Sequence, residues 1–183
     1  ATWKQDIVVK AVEARGLDTV FRDIATSPAQ SRRRAKLSGR RAKKGAMVGF
    51  HTRASDTLVQ VPDCQLLTPG LIASFPALEA LTVLACSRKG EIDLTVTEAR
   101  VGPDVLVETD KELTAQLRIE LAALANQFGL SRLVWNDEPV VMINPPQQDF
   151  GGTAVVPPAG AFMQATKHGE ATLLSAVQEI TNK

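Results

Sequence analysis

Residues 91–108 hold the pattern that most restricts how this chain can fold. Ile92, Leu94 and Val96 alternate with polar neighbours between Glu91 and Thr97. An extended segment with that spacing is apolar on one face and wet on the other. Val101-Gly102-Pro103-Asp104 supplies turn residues, and Val105 to Glu108 returns beside the first strand. A hairpin of this kind is not stable alone; it needs further strands and a cover over its apolar face.

The rest of the chain offers both. Between Arg32 and Val61 the pattern predicts three antiparallel strands, with a turn at Lys43-Lys44-Gly45 and another at Ala54-Ser55-Asp56. Arg132 to Trp135 and Val140 to Ile143 flank Asn136-Asp137-Glu138-Pro139 as a late hairpin. A short strand is expected at Thr153 to Val156. Helical spacing appears at Trp3 to Arg15, at Leu71 to Cys86 with a break at Pro76, at Lys111 to Phe128, and at Lys167 to Thr181. Asp18 to Ser31 reads as a connector with an apolar strap at Val20, Phe21 and Ile24. Hairpins outnumber any alternation of strand and helix. The expectation is an α+β fold, a hairpin-rich antiparallel sheet with helices mainly on one face.

Composition narrows the class. In 183 residues, 44% are apolar and 22% charged, which excludes a disordered chain, a collagen and a disulfide-rich mini-scaffold. No apolar run approaches the length of a membrane span, and the charged start Ala-Thr-Trp-Lys-Gln-Asp is not a signal peptide. The two cysteines, Cys64 and Cys86, form no C-x-x-C pair, so a reduced, cytoplasmic setting is expected. Cys86 ends an apolar helical stretch and reads as a core residue. Cys64 follows Val61-Pro62-Asp63 and, taken alone, reads as structural.

Charge is unevenly placed. From Ile24 to Ser55 there are nine Lys or Arg and no acid, although the net charge of the chain is only +1. Arg32, Arg33, Arg34, Lys36, Arg40, Arg41, Lys43 and Lys44 place eight cations within 13 residues, and Arg53 follows. With few core candidates among them, the segment is expected on an exposed surface or an edge strand. Two uses fit: contact with nucleic-acid phosphates, which is preferred, or a solvated face. A membrane-surface role fits less well, because no apolar residues interleave with the cations. Enzyme motifs are otherwise missing: there is no G-x-G-x-x-G, no P-loop and no H-E-x-x-H. His51 and His168 have no partners at metal-ligand spacing and read as surface residues.

Several segments in order resemble the bacterial uracil-C5 methyltransferases of 23S ribosomal RNA. Trp3-Lys4-Gln5-Asp6-Ile7-Val8-Val9 looks like the helix after that family's Cys-Gly-Gly-Cys segment. Arg33-Arg34-Ala35-Lys36, Gly49-Phe50-His51-Thr52-Arg53-Ala54-Ser55 and Val59-Gln60-Val61-Pro62-Asp63-Cys64-Gln65-Leu66-Leu67 look like its central domain. Phe150-Gly151-Gly152 and Pro158-Ala159-Gly160-Ala161-Phe162-Met163-Gln164-Ala165-Thr166 resemble the junction into its methyltransferase domain.

The resemblance implies a set of roles. Cys64 matches one of four cysteine ligands of a 4Fe–4S cluster; the other three have no counterpart here. Phe162-Met163-Gln164 matches the family's F-x-Q motif, in which the glutamine contacts S-adenosylmethionine and the phenylalanine lies by the target-base pocket. Thr166 stands where many relatives carry Asn. The catalytic cysteine belongs to a Rossmann-like domain after the F-x-Q helix, so no catalytic residue is expected in this chain. Residues 1–161 are read as a central RNA-binding, iron–sulfur-associated α+β domain truncated at its N-terminus, and 162–183 as the start of the linker helix into the methyltransferase domain. Ribosomal RNA is the implied partner, with no membrane and no protein partner implied. S-adenosylmethionine and the cluster belong to the full-length enzyme, and neither is expected on this stretch alone. The alternative is a stand-alone, non-enzymatic RNA-binding or ribosome-associated adaptor.

Overall fold

The computed structural model describes residues 1–87 and 90–181. The last two residues of the 162–183 segment therefore lie outside the described residues. Seven strands form the main sheet: β1 (Arg34–Ala42), β2 (Gly45–His51), β3 (Leu58–Val59), β4 (Glu91–Ala99), β5 (Gly102–Glu108), β6 (Arg132–Trp135) and β7 (Glu138–Met142). Their order is β3-β2-β1-β4-β5-β6-β7. Among the described residues five helices accompany them: α1 (Thr2–Glu13), α2 (Pro69–Ala73), α3 (Phe75–Ala85), α4 (Ala115–Gln127) and α5 (Lys167–Thr181). A separate hairpin joins β8 (Gln148–Phe150) to β9 (Thr153–Val155). The fold is α+β, as the hairpin pattern predicts.

Cross-strand registry explains the core. Ala35, Val96, Val105 and Leu133 form one row across β1, β4, β5 and β6, and Leu37, Leu94, Val107 and Trp135 form the next. All eight are buried, and α2, α3 and α4 cover them with Leu71, Leu78, Leu81, Leu117 and Leu121. Pro76 sits in the first turn of α3, where its missing N–H costs nothing. Gly39 lets α3 approach β1, because a Cβ there would collide with the Thr82 side chain.

Several sequence expectations are corrected. The basic strand is not an edge: β1 is paired on both sides, because Ala35, Leu37 and Gly39 give it an inward face. β5 and β6 are parallel, since α4 carries the chain back across the sheet. α4 begins only after Thr114, whose side chain caps Leu117 N–H at 3.2 Å, while the Lys111 carbonyl accepts from Trp135 Nε1 at 3.0 Å. The strap fails at Val20, which is 93% exposed. Pro103 and Pro139 lie within β5 and β7 rather than in turns.

The second face of the sheet is polar. Arg34, Lys36, Ser38 and Arg40 stand opposite Thr97, Thr95, Asp93 and Glu91. The segment after β9 crosses one end of this face: the Pro157 carbonyl accepts from Arg132 and the Gly160 carbonyl from Arg34. Gly160 adopts φ +68 directly over Leu106, where a Cβ would lie 2.6 Å from Leu106 Cδ2. Arg132 is held by both oxygens of Asp104 at 2.8 Å, and both side chains are nearly buried.

That pair generates a stability prediction. Asp104→Asn strands a buried guanidinium charge and should destabilise the fold by about 3–5 kcal/mol. Tm should fall by roughly 6–20 °C for a chain of this size. The double variant Asp104→Leu/Arg132→Met should recover most of that deficit in a thermal melt. A single variant as stable as the parent would show that the pair is not structural.

Candidate nucleic-acid interface

The cations between Arg32 and Arg53 fall into two sets, held and open. Arg33 is 3% exposed and ion-paired with Glu170. Lys36 bridges Asp93 at 2.8 Å and Glu108 at 3.2 Å. Arg40 pairs with Glu91 and donates to the Asp56 carbonyl. Arg34 is half-buried and donates to the Gly160 carbonyl. Arg32, Arg41, Lys43, Lys44 and Arg53 are exposed, and among the described residues none has a carboxylate partner. The open charge therefore gathers at the β1–β2 turn, with Arg53 in the loop after β2. Arg32 lies at the other end of β1, roughly 30 Å away by strand rise.

The polar face is internally neutralised. Hydrogen bonds to Asp93 and Glu108 raise the Lys36 pKa. For Glu91, burial alone would raise the pKa, but hydrogen bonds from His51, Arg40 and Ser38 outweigh it and hold the carboxyl below its ordinary range. His51 reaches Glu91 Oε1 at 2.6 Å. One carboxylate thus ties β4 to β1 and β2.

Three distant segments meet beside Arg32. Gln30 and Arg32 donate their backbone N–H to the carbonyls of Gln65 and Leu66 at 2.7 and 2.9 Å, and the Thr68 N–H returns to the Arg32 carbonyl at 3.0 Å. On the other side Arg33 N–H donates to the Ala165 carbonyl at 2.8 Å, and Arg33 Nε reaches the Gln164 carbonyl at 3.4 Å. The Cys64 loop, the start of the basic segment and the Phe162–Thr166 segment are thereby laid side by side. Met163 is the buried anchor of the last, while Phe162 is 83% exposed. Gln164 is half-buried, and its side-chain amide makes no hydrogen bond among the described residues.

Cys64 is half-buried against the core, in a turn closed by its N–H to the Val61 carbonyl at 3.2 Å. Among the described residues no group of three His, Cys, Asp or Glu is placed to hold a metal ion. A four-iron cluster takes four thiolates. Cys86 is not a second donor: it is buried, its Sγ–H points at the Gly39 and Gly90 carbonyls, and burial pushes its pKa up. The donor set of this chain by itself does not fit the cluster.

No family model matches the chain. It is 31% identical over 169 residues to an uncharacterized RNA methyltransferase of Agrobacterium fabrum, covering 92% of this chain and 41% of that protein. It is 30% identical over 175 residues to another from Mesorhizobium japonicum, covering 96% of the chain and 42% of the relative. The chain's relatives are RNA methyltransferases. Over 62% of its length it is also 32% identical to the 23S rRNA (uracil(1939)-C(5))-methyltransferase RlmD of Ralstonia pickettii, covering 26% of that protein. The chain spans about two fifths of the length of the first two relatives.

Sequence reasoning missed the residues that hold these segments together. Glu170, Asp104 and Arg132 carry no local signal, because each meets its partner across 28 or more positions. They become legible only through registry.

The charge placement sets two expected results. Neutralising Arg41, Lys43, Lys44 and Arg53 should weaken RNA binding and flatten the log–log salt dependence by roughly 0.7–0.9 for each phosphate no longer held. Neutralising the carboxylate-paired Lys36 should matter less, and an unchanged slope in the four-fold variant would return the turn to a solvated role. Separately, the lowered Glu91 pKa adds stability that is present above the ordinary glutamate range and disappears as pH falls through its folded-state pKa. Glu91→Gln should remove that acid-side dependence, seen as a flatter Tm–pH profile below neutrality; an identical profile would mean that Glu91 is not coupled to folding.

Proposed function

We propose that this chain is the RNA-facing part of an S-adenosylmethionine-dependent RNA uracil-C5 methyltransferase acting on ribosomal RNA. The observation that carries the reading is the convergence at Arg32. The segments that resemble the cluster loop, the basic strand and the F-x-Q motif are far apart in sequence, yet share one set of backbone hydrogen bonds. RNA methyltransferase relatives along nearly the whole chain support the same reading.

The residues present have distinct tasks. S-adenosylmethionine, when bound, supplies the methyl group. Gln164 offers a free side-chain amide to hold it, on a segment fixed by Met163 and Arg33. Phe162 presents an exposed ring suited to an unstacked base. The unpaired cations at the β1–β2 turn hold phosphates. Cys64 would be one ligand of a 4Fe–4S cluster whose remaining ligands this chain does not provide, and no step is assigned to that group. Neither cysteine suits attack on uracil. Cys86 is a buried thiol with a raised pKa, and thiolate is the nucleophilic form.

The test is methyl incorporation. The 183-residue chain should transfer no radiolabelled methyl group to ribosomal RNA, whereas the longer protein that contains it should form 5-methyluridine. In that protein Gln164→Ala should raise the cofactor KM about 10-fold, the equivalent of one hydrogen bond of ~1.5 kcal/mol. Methylation at a position other than uracil C5, or by the 183-residue chain itself, would sink the assignment.

A further inference from the structure

A cavity of 540 Å³ opens between the far end of β4, the β8–β9 hairpin and the start of α5, away from the β1–β2 turn. Arg33, Arg100 and Lys167 line it together with Glu98 and Asp149. Asp149 accepts the Gly152 N–H at 2.8 Å and holds the β8–β9 turn. The Glu98 carboxylate has no hydrogen-bond or ion-pair partner among the described residues and offsets part of the positive charge of the cavity. Among the described residues, Arg100 and Lys167 have no side-chain partner. Arg33 is 3% exposed, and its Nη1 is a buried donor with no acceptor. Burying a donor in that state forfeits the hydrogen bond it would make to water. Glu170 takes only Nη2. Lys167 also opens a helix of 15 residues, whose terminal N–H groups add positive potential at the same wall.

We propose that this cavity is a phosphate-binding site. Its cations come from three separate elements and converge on one space, an arrangement suited to a tetrahedral oxyanion. A guanidinium offers paired N–H donors, and a helix start offers backbone donors. Arg33 Nη1 is closed to solvent, so a non-bridging phosphate oxygen would supply its missing acceptor only with a shift of the side chain toward the cavity. Only the source of the phosphate, an RNA backbone rather than a free ion, rests on the methyltransferase reading. The site would hold RNA at a second point, on the far end of β1 and β4 from the basic turn. The same Arg33 fixes the Gln164 carbonyl, so occupancy bears directly on the Phe162–Gln164 segment.

Arg100 and Lys167 are exposed, so Arg100→Gln/Lys167→Gln should fold with an unchanged Tm. Inorganic phosphate is titrated against parent and double variant by calorimetry, and a short oligouridylate is titrated across a salt series. The expected result is saturable phosphate binding that weakens at least about tenfold in the variant, as removal of two charge-assisted partners implies. The oligouridylate log–log salt slope should also fall by about 0.7–1.4, one or two phosphates on a single strand. Phosphate binding that is absent in the parent, or equal in the two proteins, overturns the site. If the parent binds oligouridylate and the variant matches it in both titrations, the cavity proposal fails while the RNA reading stands. If the variant no longer binds phosphate but the parent binds no RNA, the site stands for a free phosphate and the RNA reading fails.

Discussion

The buried guanidinium of Arg33 is the constraint on which the arrangement of the functional segments depends. A charge taken out of water costs several kcal/mol unless it is paired and hydrogen-bonded. Arg33 meets that demand in part, with the Glu170 carboxylate on α5 at Nη2 and the Gln164 carbonyl at Nε, while Nη1 has no acceptor among the described residues. Its backbone adds a bond to Ala165 and accepts one from Glu98. One residue therefore joins the lead-in to β1, the end of β4, the Phe162–Thr166 segment and the first turn of α5. α5 buries no residue of its own, and besides that junction it is tied by the exposed Arg22–Glu179 ion pair at 2.6 Å.

The strand that follows shows how a basic sequence can run through the middle of a sheet. Small and apolar residues, Ala35, Leu37 and Gly39, fill the inward positions of β1, and two of the outward cations, Lys36 and Arg40, reach acids on β4 and β5. Lys36 meets Asp93 and Glu108; Arg40 meets Glu91. These pairs are half-exposed, and each contributes little to stability on its own. Their larger effect is on the field. They offset two of the four cations on β1, Lys36 and Arg40, and leave the charge of the β1–β2 turn open, where Lys43 and Lys44 have no carboxylate partner among the described residues. The charge count in the sequence overstates the size of the attractive surface.

How far the sequence disclosed this depends on the range of the interactions involved. Local patterns sufficed for α5, for the split of residues 69–85 into a short and a longer helix (though the break falls at Ser74 and not at Pro76), and for the apolar faces of β4 and β5, because each rests on neighbours a few residues apart. The central position of β1 was hidden: its inward positions hold alanine and glycine, which carry no strong strand signal, and its cations suggested an edge. The parallel pairing of β5 with β6 was hidden too, because a crossover helix looks locally like any other helix. Cys64, Phe162 and Gln164 stood out through resemblance alone. The Arg33 junction and the Arg100–Lys167 cavity are products of tertiary registry and had no local signature.

Phe162 and its anchor differ sharply in burial. Met163 is 8% exposed, Phe162 is 83% exposed and Gln164 is half-buried. A phenylalanine left in water forgoes about 1.5–3 kcal/mol that burial would return. The backbone beside it is held by Arg33 at the Gln164 carbonyl and by the Gly160 contact over Leu106. An exposed aromatic ring and a half-buried amide with no hydrogen bond among the described residues thus stand side by side; on the proposed methyltransferase reading they would meet a flipped base and an adjacent cofactor.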